Sequence, residues 1–545
     1  LLKKTLQDST AENAFKIKLC EKLAEFYSQD SIIKGVEAQI KADQILFFPS
    51  WNIQEYLSFK KLVASNTKNL EQTTRILFPA KERVYDQAEL LKGKLKALLR
   101  LSAQTLGAAL TSVLRQSVKV AKKRYKYGVT IISPGRQLRN NQRGPDLIID
   151  EKRIRSEEVV MLPCTELTTE QNQNLEKVGC DIYFPPRTGN FFSNFSKWWR
   201  LLFFAIKKFS CGSGLEIPTA SMVFFAYFSW CKVLKNIELD HLVTHCDFGV
   251  NHIGRNIALK QAGVATWYFT DSMNSSCNFQ DGTHLHRHPF WTFLQYDHLV
   301  TWSEFLEKYY KDHPGSFKQV HIPGCLWGSY VQPLEKSREN LSEICGKEVK
   351  ETFIIGVFDT TYTVQSFTSY QEGIAFMEDM YRLVEESQEI HLIFKGKKSQ
   401  EIHNTLDPIN GPKLLKLSQK MAKHPRITFL SNQAEVASLM SSCDMVISFP
   451  FTSTTFEFLS VSRPGIWHDA KGHYREFVYG NLDGVTTHGY RELVKKVRTV
   501  MQNQQQPYHP PVLTGASLMD PYLDGKGLDR FIDLLSSTKT AKSQT

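Results

Sequence analysis

From residue 129 onward the chain alternates short β-branched runs with helix-patterned segments, and it does so in two successive series. In the first series, Gly128-Val-Thr-Ile-Ile-Ser-Pro ends in a turn signal. The run 159–163 is followed by a polar helix over 169–178 and a short run at 181–185. Residues 241–245 lead through Cys246-Asp247-Phe248-Gly249 into a predicted helix over 251–261, with Gly263 as its stop and 264–269 as the next strand. Runs at 297–302 and 319–324 continue the pattern. A polar stretch over 333–351 separates these from a second series: strand 353–358 with Asp359 at its end, helix 370–387, strand 389–395, strand 427–430, helix 435–442 and strand 444–449. Strands that alternate with helices require a mostly parallel sheet covered on both faces. The expected fold is therefore α/β, with two Rossmann-like domains over 129–335 and 350–525 and an interdomain cleft. A helical, basic region over 1–128 precedes them, and a terminal helix with a polar tail over 526–545 follows.

At 545 residues the chain is too long for one core, and 42% hydrophobic with 23% charged residues is a globular composition. The longest apolar stretches, 198–206 and 222–230, fall well short of the ~18 residues a bilayer crossing needs. Ten cysteines are scattered without a CxxC pair, which suits a reducing compartment. The net charge of +11 points to a polyanionic neighbour. Nine of those charges fall between residues 81 and 126, where leucines recur at helical spacing (Leu91, Leu95, Leu98, Leu99). A second stretch, 191–208, interleaves Phe191, Phe192, Trp198 and Trp199 with Lys197, Arg200, Lys207 and Lys208. Each reads either as a helix lying on an anionic membrane or as a core helix with solvated lysines. No zinc spacing, helix-turn-helix pattern or RNP-like motif supports nucleic acid as a partner.

The stretch richest in chemistry is 443–466, where an apolar strand meets Pro450-Phe451-Thr452-Ser453-Thr454-Thr455, then Glu457, then Arg463-Pro464-Gly465. Hydroxyl residues where a helix begins can bind an anion with the exposed N–H groups, or can merely cap the helix. Glu457 is placed to accept hydrogen bonds from a ribose.

This order of strand, Ser-Thr-Thr, Glu, short helix, Pro and strand resembles the donor-nucleotide signature of GT-B glycosyltransferases. The run Pro450-Phe451-Thr452-Ser453 is similar to the motif that names the PFTS-motif polysaccharide biosynthesis proteins of bacteria. The resemblance is specific over 353–480 and architectural over 129–330. It implies two facing Rossmann-like domains, a nucleotide-sugar donor held by the second, and transfer to a growing surface glycan. It also implies that no cofactor or catalytic metal is needed, and the chain holds no convincing DxD. Relatives that use CMP-sugars carry His-Pro after the second strand of that domain; here Lys395-Gly396-Lys397 stands there, and Arg463 replaces the familiar Gly before Pro. Lysines at a strand's carboxyl end can neutralise a phosphate, so Lys395 and Lys397 join Thr452, Ser453, Thr454, Thr455 and Glu457 as expected donor contacts.

In the first domain, Asp247 at a strand's carboxyl edge with His252 and Arg255 three apart on one helical face form the candidate catalytic, acceptor-side set. A capped, satisfied polar turn is the alternative. His284, His286 and His288 alternate as a metal site can require, but nothing completes a set, and a cleft-lining or plain surface loop is the competing reading. The expected activity is a cytoplasmic glycosyltransferase, in peripheral contact with the inner face of the membrane, acting on a lipid-linked acceptor in capsule or lipopolysaccharide synthesis. The alternatives are a polyol-phosphate transferase using a CDP-linked donor and a non-catalytic nucleotide- or glycan-binding assembly factor.

Overall fold

A strand buried on both faces must be apolar almost throughout, and the runs that meet this condition are those that become strands. The computed structural model describes residues 122–132, 145–185, 216–245, 247, 251–272, 294, 296–304, 317–331, 341–346, 349, 353–362, 369–398, 407–450, 452–477, 479–503 and 519–538. Most of the basic segment 81–126, the aromatic stretch 191–208, His284, His286 and His288 lie outside these residues. The first unit contains β1 (Lys123–Ile131), β2 (Val159–Pro163), α1 (Thr169–Glu176), β3 (Asp181–Ile182), α2 (Glu216–Asn236), β4 (Ile237–Thr244), α3 (Asn251–Gln261), β5 (Ala265–Phe269), β6 (Tyr296–Val300) and β7 (Phe317–His321). The second contains α4 (Leu341–Cys345), β8 (Phe353–Phe358), α5 (Tyr370–Glu386), β9 (Ile390–Lys395), α6 (Gly411–Ala422), β10 (Ile427–Leu430), α7 (Val436–Ser441), β11 (Met445–Ser448), α8 (Ser453–Leu459), β12 (Gly465–Asp469), β13 (Thr486–His488) and α9 (Gly489–Gln502). The last helix, α10 (Gly527–Ser537), comes after both.

The seven strands of the first sheet run in the order β3-β2-β1-β4-β5-β6-β7, and the six of the second in the order β10-β9-β8-β11-β12-β13. Every described pairing is parallel. Both sheets therefore reverse their winding between the first strand and the fourth, at β1/β4 and at β8/β11. This is the doubly wound α/β architecture expected from the alternation. Ligands of open α/β sheets bind beyond the carboxyl ends of the strands at such a reversal.

One boundary is corrected. β1 opens at Lys123, so Lys123, Arg124 and Lys126, read as the end of a basic helix, lie on a strand. The physical reason is a period of two: Tyr125 and Tyr127 are buried on one face, Arg124 turns to the other and pairs with Asp240, and Lys123, in phase with the tyrosines but at the exposed strand start, pairs with Asp181.

The chain crosses between the two sheets twice. The outward crossing runs through Pro323-Gly324-Cys325, and the return through Asp520. Asp520 Oδ2 accepts from the Cys325 N–H at 2.9 Å, and Oδ1 accepts from Tyr522 and Leu523. Gly324 has φ of +94°, and a Cβ there would stand 2.7 Å from Asp520 Oδ1, so only glycine fits the joint. Arg530 donates to the Pro323 carbonyl at 3.0 Å.

After the return, α10 packs on the first sheet. Phe531 meets Trp267 and Phe269 at ring-centroid distances of 6.4 and 5.8 Å. Arg153 donates to Asp529 and Asp533 of the same helix. Beneath it lies an aromatic array: Trp267 stacks on His298 at 3.9 Å and donates its indole N–H to His241. Burial pushes His241 and His298 down to about 4, so both rings are neutral at pH 7. Phe531 is completely buried. Phe531→Ala should therefore destabilise the protein by about 3 to 5 kcal/mol, read as a lowered denaturant midpoint. A loss below about 1 kcal/mol would show that α10 does not complete the first domain's core.

Candidate functional site

At the second reversal three strand ends stand side by side, because Phe358 pairs with both Ser448 and Lys395. Asp359 follows Phe358 directly. Its Oδ1 accepts from the Lys397 backbone N–H at 2.5 Å, so the turn after β9 is folded onto the end of β8. Burial raises the Asp359 pKa from 3.8 to about 7, against the pull of that N–H and of the Lys395 and Lys397 ammonium charges. Near neutral pH this carboxyl is therefore only partly ionised. Lys395 is half-buried, with Nζ donating to the Asn432 carbonyl at 3.1 Å, and the Lys397 side chain is exposed. The structure thus brings Lys395 and Lys397 together at one edge. It adds Asp359, which the sequence displayed as an acid ending a strand but which carried no predicted role.

The expected hydroxyl cluster divides in two. Thr452 occupies the position before α8, and no side-chain cap hydrogen bond is made there. Ser453, half-buried, is the first helical residue. Thr454 Oγ1 meets Ser448 Oγ at 2.8 Å, and Thr455 Oγ1 donates to the Ile466 carbonyl at 2.8 Å, both within the protein interior. Thr454 and Thr455 therefore join α8 to β11 and β12, and their hydroxyls are committed to the fold. Glu457 is completely buried a turn further on, close enough to Cys325 to help raise that thiol's pKa, although burial is the larger cause. Phe451 of the motif lies outside the described residues.

The Arg463 departure has a structural account. Its guanidinium donates to the carbonyls of Cys443 and Ser441, fastening the turn after α8 to the end of α7. The left-handed backbone falls instead on Ser462, with φ of +58°.

The first reversal carries Asp247, His252 and Arg255, and the structure brings all three together, 2%, 1% and 2% exposed. Arg255 Nη1 pairs with Asp247 Oδ2, and its Nη2 donates to Tyr296 Oη at 3.0 Å. Tyr296 Oη in turn lies 3.1 Å from Asp247 Oδ2, and His252 stacks on the Tyr296 ring at 5.5 Å. Burial opposes the Arg255 charge, but Asp247 beside it holds the guanidinium above its ordinary pKa. The cluster locks the β4–α3 loop onto β6. An acceptor could meet its charges only by displacing one of its own members. Tyr296, the keystone of this set, lies one residue before the run 297–302 read as a strand and carried no predicted role.

No disulfide joins the described cysteines. Among the described residues, no group of three or more His, Cys, Asp or Glu could hold a metal, and no helix is long and apolar enough to cross a membrane.

With this geometry in place, comparison with known proteins gives one family. The model described as polysaccharide biosynthesis PFTS motif protein matches residues 222–497, half of the chain, from within α2 to within α9. No curated protein matches the sequence. Among solved structures, the chain is similar to Anabaena Alr3699/HepE, in complex with UDP and glucose, at 14% identity and a TM-score of 0.45. That likeness covers 76% of this chain and 100% of that one. It is also similar to the UDP co-structure of S. aureus MnaA, at 11% and 0.43, covering 75% and 95%. For the wall teichoic acid polymerase TagF the values are 11% and 0.43, covering 83% and 98%.

Three outcomes follow for stability. Removing one member of a buried ion pair strands the other, so Asp247→Ala should cost about 3 to 5 kcal/mol. Lys397→Ala, at an exposed side chain, should change stability by no more than about 0.5 kcal/mol. Asp359 has its proton held more tightly in the folded chain than in the unfolded one. Between about pH 4 and 7 the unfolded state has released a proton that the folded state keeps, so this residue's contribution to stability falls as pH rises and levels off above about 8. Asp359→Asn should then gain on the wild type across that window by up to about 4 kcal/mol, with no further gain above about pH 8. A pH-independent difference in denaturation midpoint between the two would contradict the assignment.

Proposed function

The chain belongs to the polysaccharide biosynthesis PFTS motif family, and from that premise we propose that it is a glycosyltransferase which moves a sugar from a nucleotide-sugar donor onto a growing surface polysaccharide. The observation that carries this reading is the placement of the motif. Thr452 and Ser453 stand beyond the carboxyl end of β11, at the reversal of a doubly wound sheet, beside Lys395, Lys397 and Asp359.

The donor's phosphates lie at this edge. Lys395 and Lys397 supply positive charge, and a partly protonated Asp359 leaves more of that charge uncancelled than an ordinary carboxylate would. Stabilising negative charge on a departing nucleotide is electrostatic work for fixed cations, and it needs no metal ion. Thr454, Thr455 and Glu457 contribute by holding α8 in place. On the acceptor side, Asp247, His252 and Arg255 act as positioning residues that fix the β4–α3 loop. The acceptor is a glycan on a lipid carrier, and the basic segment 81–126 serves as the contact with an anionic membrane.

The test is to incubate the protein with nucleotide-sugars and an oligosaccharide acceptor and to analyse the products by mass spectrometry. A glycosidic product is expected. A new phosphodiester formed from a CDP-linked polyol would favour the polyol-phosphate transferase, and binding without donor consumption would favour the assembly factor. In the glycosyltransferase reading, Lys395→Ala lowers turnover by about tenfold to a hundredfold while costing no more than about 1.5 kcal/mol in stability. Unchanged turnover would remove Lys395 from the site.

A further inference from the structure

Among the described residues four tryptophans are fully buried, and three of their indole N–H groups have acceptors: Trp267 on His241, Trp327 on the Asp271 carbonyl and Trp467 on the Thr452 carbonyl. The fourth does not. Trp302 is 0% exposed, and no described residue accepts a hydrogen bond from its Nε1. An unsatisfied buried donor costs about 1 to 3 kcal/mol, and native proteins leave few of them.

The place of this donor is informative. Trp302 stands two residues beyond β6, at the carboxyl edge of the first sheet, and its ring packs on Phe456 of α8 at 5.0 Å. The contact therefore joins the carboxyl edge of one sheet to the helix that follows β11 in the other. Phe456 lies four residues after Thr452, so the two share a face of the helix start. Thr452 repeats the pattern among the hydroxyls: Thr454 and Thr455 have partners, whereas Thr452 Oγ1 is buried without one. Two buried polar groups without a described partner thus lie on the two elements that meet at this contact, one from each domain.

We infer that this seam binds phosphate oxygens of the nucleotide-linked donor, with the Trp302 N–H donating from the first domain and the Thr452 hydroxyl from the second. An indole nitrogen can only donate, so its partner must be an acceptor; a phosphate offers several, and a hydroxyl can donate to the same group. A donor held in this way bridges the domains and sets their separation, which makes Trp302 and Thr452 positioning residues for the transfer. The inference rests on the glycosyltransferase reading and deepens it by naming where the leaving group is gripped.

The test compares wild type with Trp302→Phe, which keeps the stack on Phe456 and removes only the donor, and with Thr452→Val, which keeps the branched shape and removes only the hydroxyl. Each is titrated calorimetrically with UDP, CDP and CMP and with uridine and cytidine. The expected result is that wild type prefers a nucleotide to its nucleoside and that each variant binds that nucleotide at least about tenfold more weakly. Nucleoside affinity and the ligand-free melting midpoint should be retained. If Trp302→Phe does not fold, the Thr452→Val comparison decides. Equal nucleotide affinity in the variants would overturn the inference and leave the glycosyltransferase reading standing. Wild type that binds nucleoside and nucleotide equally would overturn the phosphate assignment. Wild type that binds none of the five would overturn the donor site itself, and the inference with it.

Discussion

Asp520 is the point on which the two halves of the molecule depend. Its carboxyl gathers three backbone N–H groups from two segments nearly two hundred residues apart in sequence, Cys325 on the outward crossing and Tyr522 and Leu523 on the return. Burial raises its pKa, yet those three donors favour the charged form, and the balance is struck at a residue only 3% exposed. Lateral slack in either crossing would shift one sheet edge against the other. The seam of Trp302 on Phe456 would then lose its register. A backbone clamp next to an obligate glycine is a stiffer solution than an apolar contact, because its geometry is directional.

The two winding reversals are built alike and resolved differently. At the first, charge is cancelled internally: Asp247 and Arg255 neutralise each other, with Tyr296 between them. At the second, one carboxyl is driven towards neutrality beside two lysines, so positive charge is left over. A fold that duplicates an architecture need not duplicate a site. Here the difference comes down to whether an arginine can reach the acid at the reversal, which is Asp247 after β4 in the first sheet and Asp359 after β8 in the second. Asp359 has no such arginine among its described partners, and burial decides its state instead.

The strands were legible because parallel sheets demand continuous apolar runs: β2, β8 and β10 stand at the residues read from sequence, as does α3. The start of β1 was hidden by its basic residues, because Lys123, Arg124 and Lys126 continue the run of positive charge that precedes them. The helix α6 went unread; its GPKLLKLSQKMA sequence places Pro near the start and has few caps to announce it. For the candidate site, residue types at strand ends singled out Lys395, Lys397, Thr452 and Ser453, and the structure sets all four at or beyond the carboxyl ends of β9 and β11. What sequence could not convey is which hydroxyls turn inward. Thr454 and Thr455 look like Thr452 in a string of letters, and only the approach of Ser448 and Ile466 distinguishes them. Trp302 was invisible for the same reason, since a buried indole reads as core until its neighbours are known.

The return of α10 to the first sheet has a consequence for how the protein is made. A chain emerging from the ribosome delivers β1 to β7 early, but the helix that covers Trp267 and Phe269 follows roughly 200 residues after β7, a wait of about 10 to 40 s at ordinary elongation rates. During that interval a face carrying tryptophan, phenylalanine and uncharged imidazoles has no lid. The second unit lies between and must be synthesised before the lid can be set. Synthesis therefore imposes an order that the finished structure conceals: the domain that begins first is completed last, and its exposed aromatic face is the surface a chaperone would meet in the meantime.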